Sequence, residues 1–175
     1  MEGKFPLIYI SLLLVLLAIA GFVVFRQIFK TRRTESALTR LQNKLSQEKG
    51  TAQDYYELAS IYLDKRLFAK ASDLLQKALK VGGDLGSGEN ALIYNALGFS
   101  YFAQEQYDLA IRQYKEALKA DPDYTTALNN LGHAYERKQL TSQALAAYDQ
   151  ALAIEPDNTT AKRRADSLRK RLVTS

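Results

Sequence analysis

Tyr94-x2-Leu97-Gly98-x2-Tyr101, then Ala110-x3-Tyr114-x2-Ala117, then Pro122 is the stretch that decides the fold. It recurs farther along the chain, at the same internal spacing, as Leu128-x2-Leu131-Gly132-x2-Tyr135, Ala144-x3-Tyr148-x2-Ala151 and Pro156. A weaker copy precedes it as Tyr55-x2-Leu58-Ala59-x2-Tyr62 and Ala71-x3-Leu75-x2-Ala78, with Gly83 in the proline slot. On a helix of about 3.6 residues per turn, Tyr94, Leu97, Gly98 and Tyr101 fall on one face and form a single buried stripe. Gly98 has no side chain, so a second helix bearing Ala110, Tyr114 and Ala117 can approach it closely; Ala59 does the same less tightly in the first copy. Pro122 and Pro156 stop the second helix of their units, because proline lacks the amide hydrogen and clashes with the preceding turn.

A period of about 34 residues with these residue types resembles the tetratricopeptide repeat, two antiparallel helices per unit. The resemblance covers residues 52–158, divided as 52–85, 91–124 and 125–158. The expected fold is all-α: an N-terminal transmembrane helix, an α-solenoid of three tetratricopeptide helix pairs and a capping helix.

Composition narrows the function. The 175 residues include no cysteine, which excludes disulfides, thiolate metal sites and thiol nucleophiles. One histidine, His133, leaves no second imidazole for a metal site or a relay, so neither an enzyme nor a cofactor is expected. The net charge of +5 is unevenly spread: residues 1–51 carry 8 basic and 3 acidic side chains, residues 52–158 carry 10 and 15, and residues 159–175 carry 6 and 1. The repeat body is thus acidic, no basic stripe crosses it, and nucleic acid is not an expected partner.

Residues 1–30 read as a transmembrane signal anchor. Phe5 to Phe25 carry no charge, and 21 helical residues at about 1.5 Å each reach roughly the 30 Å of a bilayer's hydrocarbon core. The competing reading is a cleaved signal peptide, on the strength of Ala18-Ile19-Ala20, but the apolar run continues past that site to Phe25. Arg26, Lys30, Arg32 and Arg33 crowd the far flank, whereas Lys4 is the one basic side chain before the span. By the positive-inside rule the repeats face the cytoplasm or its organellar equivalent. Residues 31–51 form a helical linker, with Ala37, Leu38, Leu41 and Leu45 striped for packing on the first repeat or for lying along lipid headgroups. Thr51 and Asp54 offer a capping pair for the first repeat helix.

Residues 82–90 are glycine-rich and about five longer than the period allows. Gly86-x-Gly88 mimics a phosphate loop, yet no strand precedes it and no Gly-Lys-Ser/Thr follows, so it reads as a flexible connection open to proteolysis.

The candidate partner-binding groove comes from the other face of each unit's first helix. Gln53, Tyr56, Ser60 and Leu63, then Leu92, Asn95, Phe99 and Phe102, then Thr126, Asn129, His133 and Glu136 lie about 120° from the buried stripe. In tetratricopeptide proteins such residues line a concave groove for an extended peptide or a partner's helix, which here is aromatic and nearly neutral. The places matching the subclass that clamps chaperone tails hold Tyr56, Ser60, Ala96, Thr126 and Asn130, and no cation stands among them. Phe99 and Phe102 either pack between units or stand in the groove as a partner's anchor.

Residues 159–175 read as a basic capping helix, with Ala161, Ala165, Leu168 and Leu172 on its apolar face. Lys162, Arg163, Arg164, Arg169, Lys170 and Arg171 either solvate the end of the solenoid or form a patch for acidic lipid headgroups or an acidic partner. Asn158-Thr159-Thr160 matches a glycosylation acceptor, on the wrong side of the membrane for use under the expected topology.

Taken whole, an anchor, three repeats and the run Ala127-Leu-Asn-Asn-Leu-Gly-His-Ala-Tyr135 resemble the small photosystem I assembly factors of cyanobacteria and plastids. That resemblance implies a single-pass thylakoid protein, its repeats on the stromal or cytoplasmic side, that assists photosystem I assembly or stability through photosystem I subunits or other assembly factors. The alternative is a general bacterial inner-membrane scaffold for a secretion, division or envelope complex.

Overall fold

The computed structural model describes residues 5–48, 50–82 and 86–174. Lys4 and Gly83, both weighed above, lie outside the described residues. Among the described residues the chain forms eight helices and no strand: α1 (Phe5–Gln47), α2 (Ala52–Asp64), α3 (Phe68–Val81), α4 (Ser87–Ala103), α5 (Tyr107–Ala120), α6 (Thr125–Arg137), α7 (Thr141–Ile154) and α8 (Thr159–Thr174). Two compact units result, residues 1–47 and residues 48–175.

The first unit is α1 alone. Sequence reading separates an anchor from a spacer near residue 31, but the helix runs without a break for 43 residues. The reason is local: between Arg26 and Gln47 there is no glycine or proline to interrupt it. By length and composition α1 is apolar enough to cross a membrane.

The second unit is a stack of helix pairs, each helix packed on the next from α2 to α8. Its entry is fixed by the expected capping box: the Asp54 amide donates to Thr51 Oγ1 (3.2 Å) and the Thr51 amide donates to Asp54 Oδ2 (2.9 Å). The turn inside each pair is the same structure three times. Arg66, Glu105 and Gln139 adopt φ of 60°, 61° and 60°, the left-handed region. The following amides of Leu67, Gln106 and Leu140 donate to the carbonyls of Tyr62, Tyr101 and Tyr135 (2.8, 2.9 and 2.9 Å), closing a Schellman motif. Glu105 follows Arg66 at a longer interval than Gln139 follows Glu105, so the insertion falls between the first and second pairs.

Part of that insertion is helix, which corrects the sequence reading of a loop through Asn90. α4 begins at Ser87 and has 17 residues against 13 in α2 and in α6. Gly88 sits in its first turn, where the amides have no intrahelical acceptor to lose, and Glu89 complements the positive end of the helix dipole.

The buried stripes meet as expected. A methyl group added at Gly98 would stand 2.6 Å from Tyr114 Cε1, and one at Gly132 would stand 2.7 Å from Tyr148 Cε1. Both rings are buried, and burial pushes both phenols well above their ordinary pKa. In the first pair Ala59 and Leu75 take these places, both fully buried: the narrower side chain leaves room for one methyl. The core forms two clusters, one from α2 to α4 and one from α5 to α8, and Tyr101 packs against both. Its hydroxyl accepts from Gln76 Nε2 at 2.7 Å.

Gly98→Ala is expected to cost about 1–3 kcal/mol, the usual penalty for overpacking a closed core. Combined with Tyr114→Leu, which copies the Ala59 and Leu75 pair, the double variant should cost less than the sum of the singles by about 1 kcal/mol or more. Urea unfolding of the full chain in neutral detergent, carried through all three variants, checks this; simple additivity would contradict the contact as the source of the cost.

Candidate functional site

The first helices α2, α4 and α6 carry the candidate groove residues, and the structure divides those residues by what they touch. Asn95 Nδ2 donates to the Tyr124 hydroxyl (3.3 Å), while Asn95 Oδ1 accepts from Asn130 Nδ2 (2.9 Å), tying α4 to α6 and to the connection before it. Asn129, one period later, donates to Asn158 Oδ1 at 3.3 Å. That same Asn158 oxygen accepts from the Ala161 amide (3.0 Å) and caps α8, so the side chain of the glycosylation motif is occupied within the fold.

Phe102 is half-buried against the next repeat. Its ring lies 4.6 Å from the His133 ring and 5.4 Å, edge on, from Tyr107, whose other neighbour is the Arg137 guanidinium at 5.0 Å. Each such ring contact contributes about 0.5–1.5 kcal/mol beyond the area it buries. Glu136 is committed as well: its Oε1 accepts from the Tyr148 hydroxyl (2.6 Å) and from Arg164 Nη1 of α8 (3.1 Å). Ser60 turns back on its own helix, donating to the Tyr56 carbonyl at 2.9 Å, and Leu63 packs against the first core cluster.

Leu92 and Phe99 keep 44% and 41% of their surface exposed, the large apolar side chains of the candidate groove rows most open to solvent. Phe99 meets Phe68 edge on at 6.2 Å. Tyr56 and Leu92, with Gln53, Glu89 and Ile93, line a small hollow of about 40 Å³ between α2 and α4. The two phenylalanines therefore take different roles: Phe102 packs between repeats and Phe99 faces outward.

Several partners of these residues escaped sequence reading. Tyr124 lies in a connection between helices, where no helical periodicity marks it. Phe68 and Tyr107 could have been found, since both open a second helix at the same distance after the left-handed turn residue.

The surroundings of His133 favour its neutral form. Burial lowers its pKa first, and the nearby Arg164 and Arg137 lower it further against the opposing pull of Glu136. A histidine whose folded pKa is depressed binds fewer protons folded than unfolded, so stability is full above the ordinary histidine range and falls as pH drops through about 6.5. His133→Gln should flatten that part of the profile. Urea midpoints of both proteins at pH 7.5 and pH 5.5 test it, and parallel losses in the two would refute the assignment.

The comparisons with known proteins agree with the repeat fold. Sequence models of the tetratricopeptide repeat match residues 53–81 and 125–158, and a TPR repeat model matches residues 98–139. The chain superposes on the Arabidopsis OM64 TPR domain with a TM-score of 0.64 at 24% identity, covering 69% of this chain and 95% of that one. It is 36% identical over 130 residues to the chloroplastic tetratricopeptide repeat domain-containing protein PYG7 of Arabidopsis thaliana, covering 74% of this chain but 42% of that longer protein. It is 42% identical over 127 residues to the ycf37 protein of Cyanophora paradoxa, and the match takes in 73% of this chain and 72% of that protein. With its repeats matched by these models and most of both chains aligned at 42% identity, the chain belongs to the ycf37 family of tetratricopeptide repeat proteins.

Proposed function

We propose that the chain is a membrane-anchored adaptor that holds a partner protein at the thylakoid surface and assists the assembly or stability of photosystem I. The observation that carries this reading is a repeat array of an interaction family, with Leu92 and Phe99 exposed on α4, in one chain with a helix apolar enough to cross a membrane. The chloroplastic relative supports a photosynthetic membrane as the setting. Arg26, Arg32 and Arg33 follow the apolar run of α1 and support a cytoplasmic or stromal position for the repeats.

In this role the anchor raises the local concentration of the repeats along the membrane, so an interaction weak in solution becomes effective between proteins confined to the same surface. The photosystem I subunits and other assembly factors are the candidate partners. A general envelope scaffold would use the same plan without touching the photosystems.

Deletion is expected to lower photosystem I emission relative to photosystem II in low-temperature chlorophyll fluorescence. An unchanged ratio in the deletion strain would sink the photosystem role and favour the general scaffold. Protease added to sealed thylakoid vesicles should remove the repeats from the stromal side; protection there would reverse the topology.

A further inference from the structure

The capping helix continues the groove. Its connection to α7 shares two main-chain hydrogen bonds with the connection between α5 and α6. The Tyr124 amide donates to the Asp121 carbonyl (3.3 Å) and the Leu128 amide to the Tyr124 carbonyl (3.2 Å); one period later the Asn158 amide donates to Glu155 (3.0 Å) and the Lys162 amide to Asn158 (3.0 Å). Burial repeats too: Ile93, Leu97 and Ser100 in α4, Ala127, Leu131 and Ala134 in α6, and Ala161, Ala165 and Leu168 in α8 are all buried, each set one period after the last. α8 therefore stands where the first helix of a fourth repeat would stand.

Its charges then separate by face. Lys162, Asp166 and Arg169 replace Leu128, Gly132 and Tyr135, the residues that in α6 face a second helix. That polar substitution ends the solenoid. Arg163 and Lys170, by contrast, follow Asn95 and Asn129, and Phe102 and Glu136, in the groove rows, with Thr160 and Ser167 completing the α8 row. All four α8 row residues are exposed. Glu136, in the adjacent row on α6, pairs with Arg164.

We infer that the groove is polarised, apolar at α4 through Leu92 and Phe99 and cationic at α8 through Arg163 and Lys170, and that it takes an extended segment of a partner protein with apolar side chains at one end and acidic ones at the other. Packed helices stand about 8–10 Å apart, so α4 and α8 are roughly 20 Å apart, a span of about six residues in extended chain. These cations lie outside the chaperone-clamp positions. The inference rests on the reading of the first-helix face as the partner surface and names what that surface selects.

The test uses the full chain in neutral detergent and fluorescein-labelled peptides with Leu-Phe at one end and Glu-Asp-Glu at the other, joined by Gly-Ser spacers of graded length. Anisotropy should show tightest binding near a six-residue separation, and a probe ending in Gln-Asn-Gln should bind about tenfold more weakly, a change of about 1.4 kcal/mol. Arg163→Gln with Lys170→Gln should weaken the acidic probe by a similar factor and leave the amide probe unchanged. Lys162→Gln, next in sequence but on the cap face, should do neither. Equal binding of the two probes, equal effects of Arg163→Gln and Lys162→Gln, no binding of any probe, or Arg163-dependent binding to phosphatidylglycerol vesicles in place of the peptides would overturn the inference. Weakening by Phe99→Ala without weakening by Arg163→Gln defeats the polarity alone; the reverse removes the apolar end and with it the groove reading.

Discussion

The repeat array depends on one contact, a tyrosine ring lying against a glycine of the facing helix. At Gly98 and Tyr114, and again at Gly132 and Tyr148, the ring fills the volume a methyl group would need. This sets the separation of the two helices in each pair, because a packed interior accommodates neither a void nor an extra methyl without a shift. With that separation fixed, the left-handed turn residues Glu105 and Gln139 set the approach of the second helix, and each pair takes the same shape. The first pair reaches a similar end with Ala59 and Leu75. The pattern selects a summed volume, not a residue.

Uniform geometry has a consequence for the groove. When every pair is alike, residues one period apart share a row, and neighbours in adjacent rows come within reach of one another. Asn95 meets Asn130, Phe102 meets His133, and Arg164 meets Glu136. These contacts hold repeat to repeat on the face that would otherwise be open, so stability draws on the same side chains that are proposed for recognition. Glu136 shows where stability wins. Its two hydrogen bonds, to Tyr148 and to Arg164, join α6, α7 and α8, and breaking one partner would leave a mostly buried carboxylate uncompensated. Phe99 shows where exposure survives, since its ring contact is a single edge-on approach to Phe68.

What was legible in the sequence follows the same division. The glycine, tyrosine and proline spacing revealed the helix pairs because backbone approach and helix termination are local demands that few residues meet. Thr51 and Asp54 were legible for the same reason. The continuity of α1 through residue 31 was not, because a change in composition from apolar to basic reads as a boundary although nothing there breaks a helix. The start of α4 at Ser87 was missed because two glycines suggested a loop, while the first turn of a helix tolerates them. Within the candidate groove, periodicity correctly put Asn95, Phe99 and Phe102 on one face of α4, but it could not say which would be consumed by a neighbour. That depends on a residue a full repeat away, such as Tyr124 or His133, and a helical wheel contains no such information.

The same limit explains the reading of α8. As a sequence it is a helix with four small or apolar residues and six basic ones, and solvation accounts for such a composition. Placed in the stack, the basic residues stop being equivalent. Arg164 and Arg169 are bound to Glu136 and Asp149 and hold the helix down. Lys162 and Arg169 stand where a further helix would need Leu128 and Tyr135, which makes another pair unfavourable by placing charge in a would-be core. Arg163 lies on neither of these faces. Its place is fixed by the period instead: it follows Asn95 and Asn129 in the row that those residues occupy on α4 and α6.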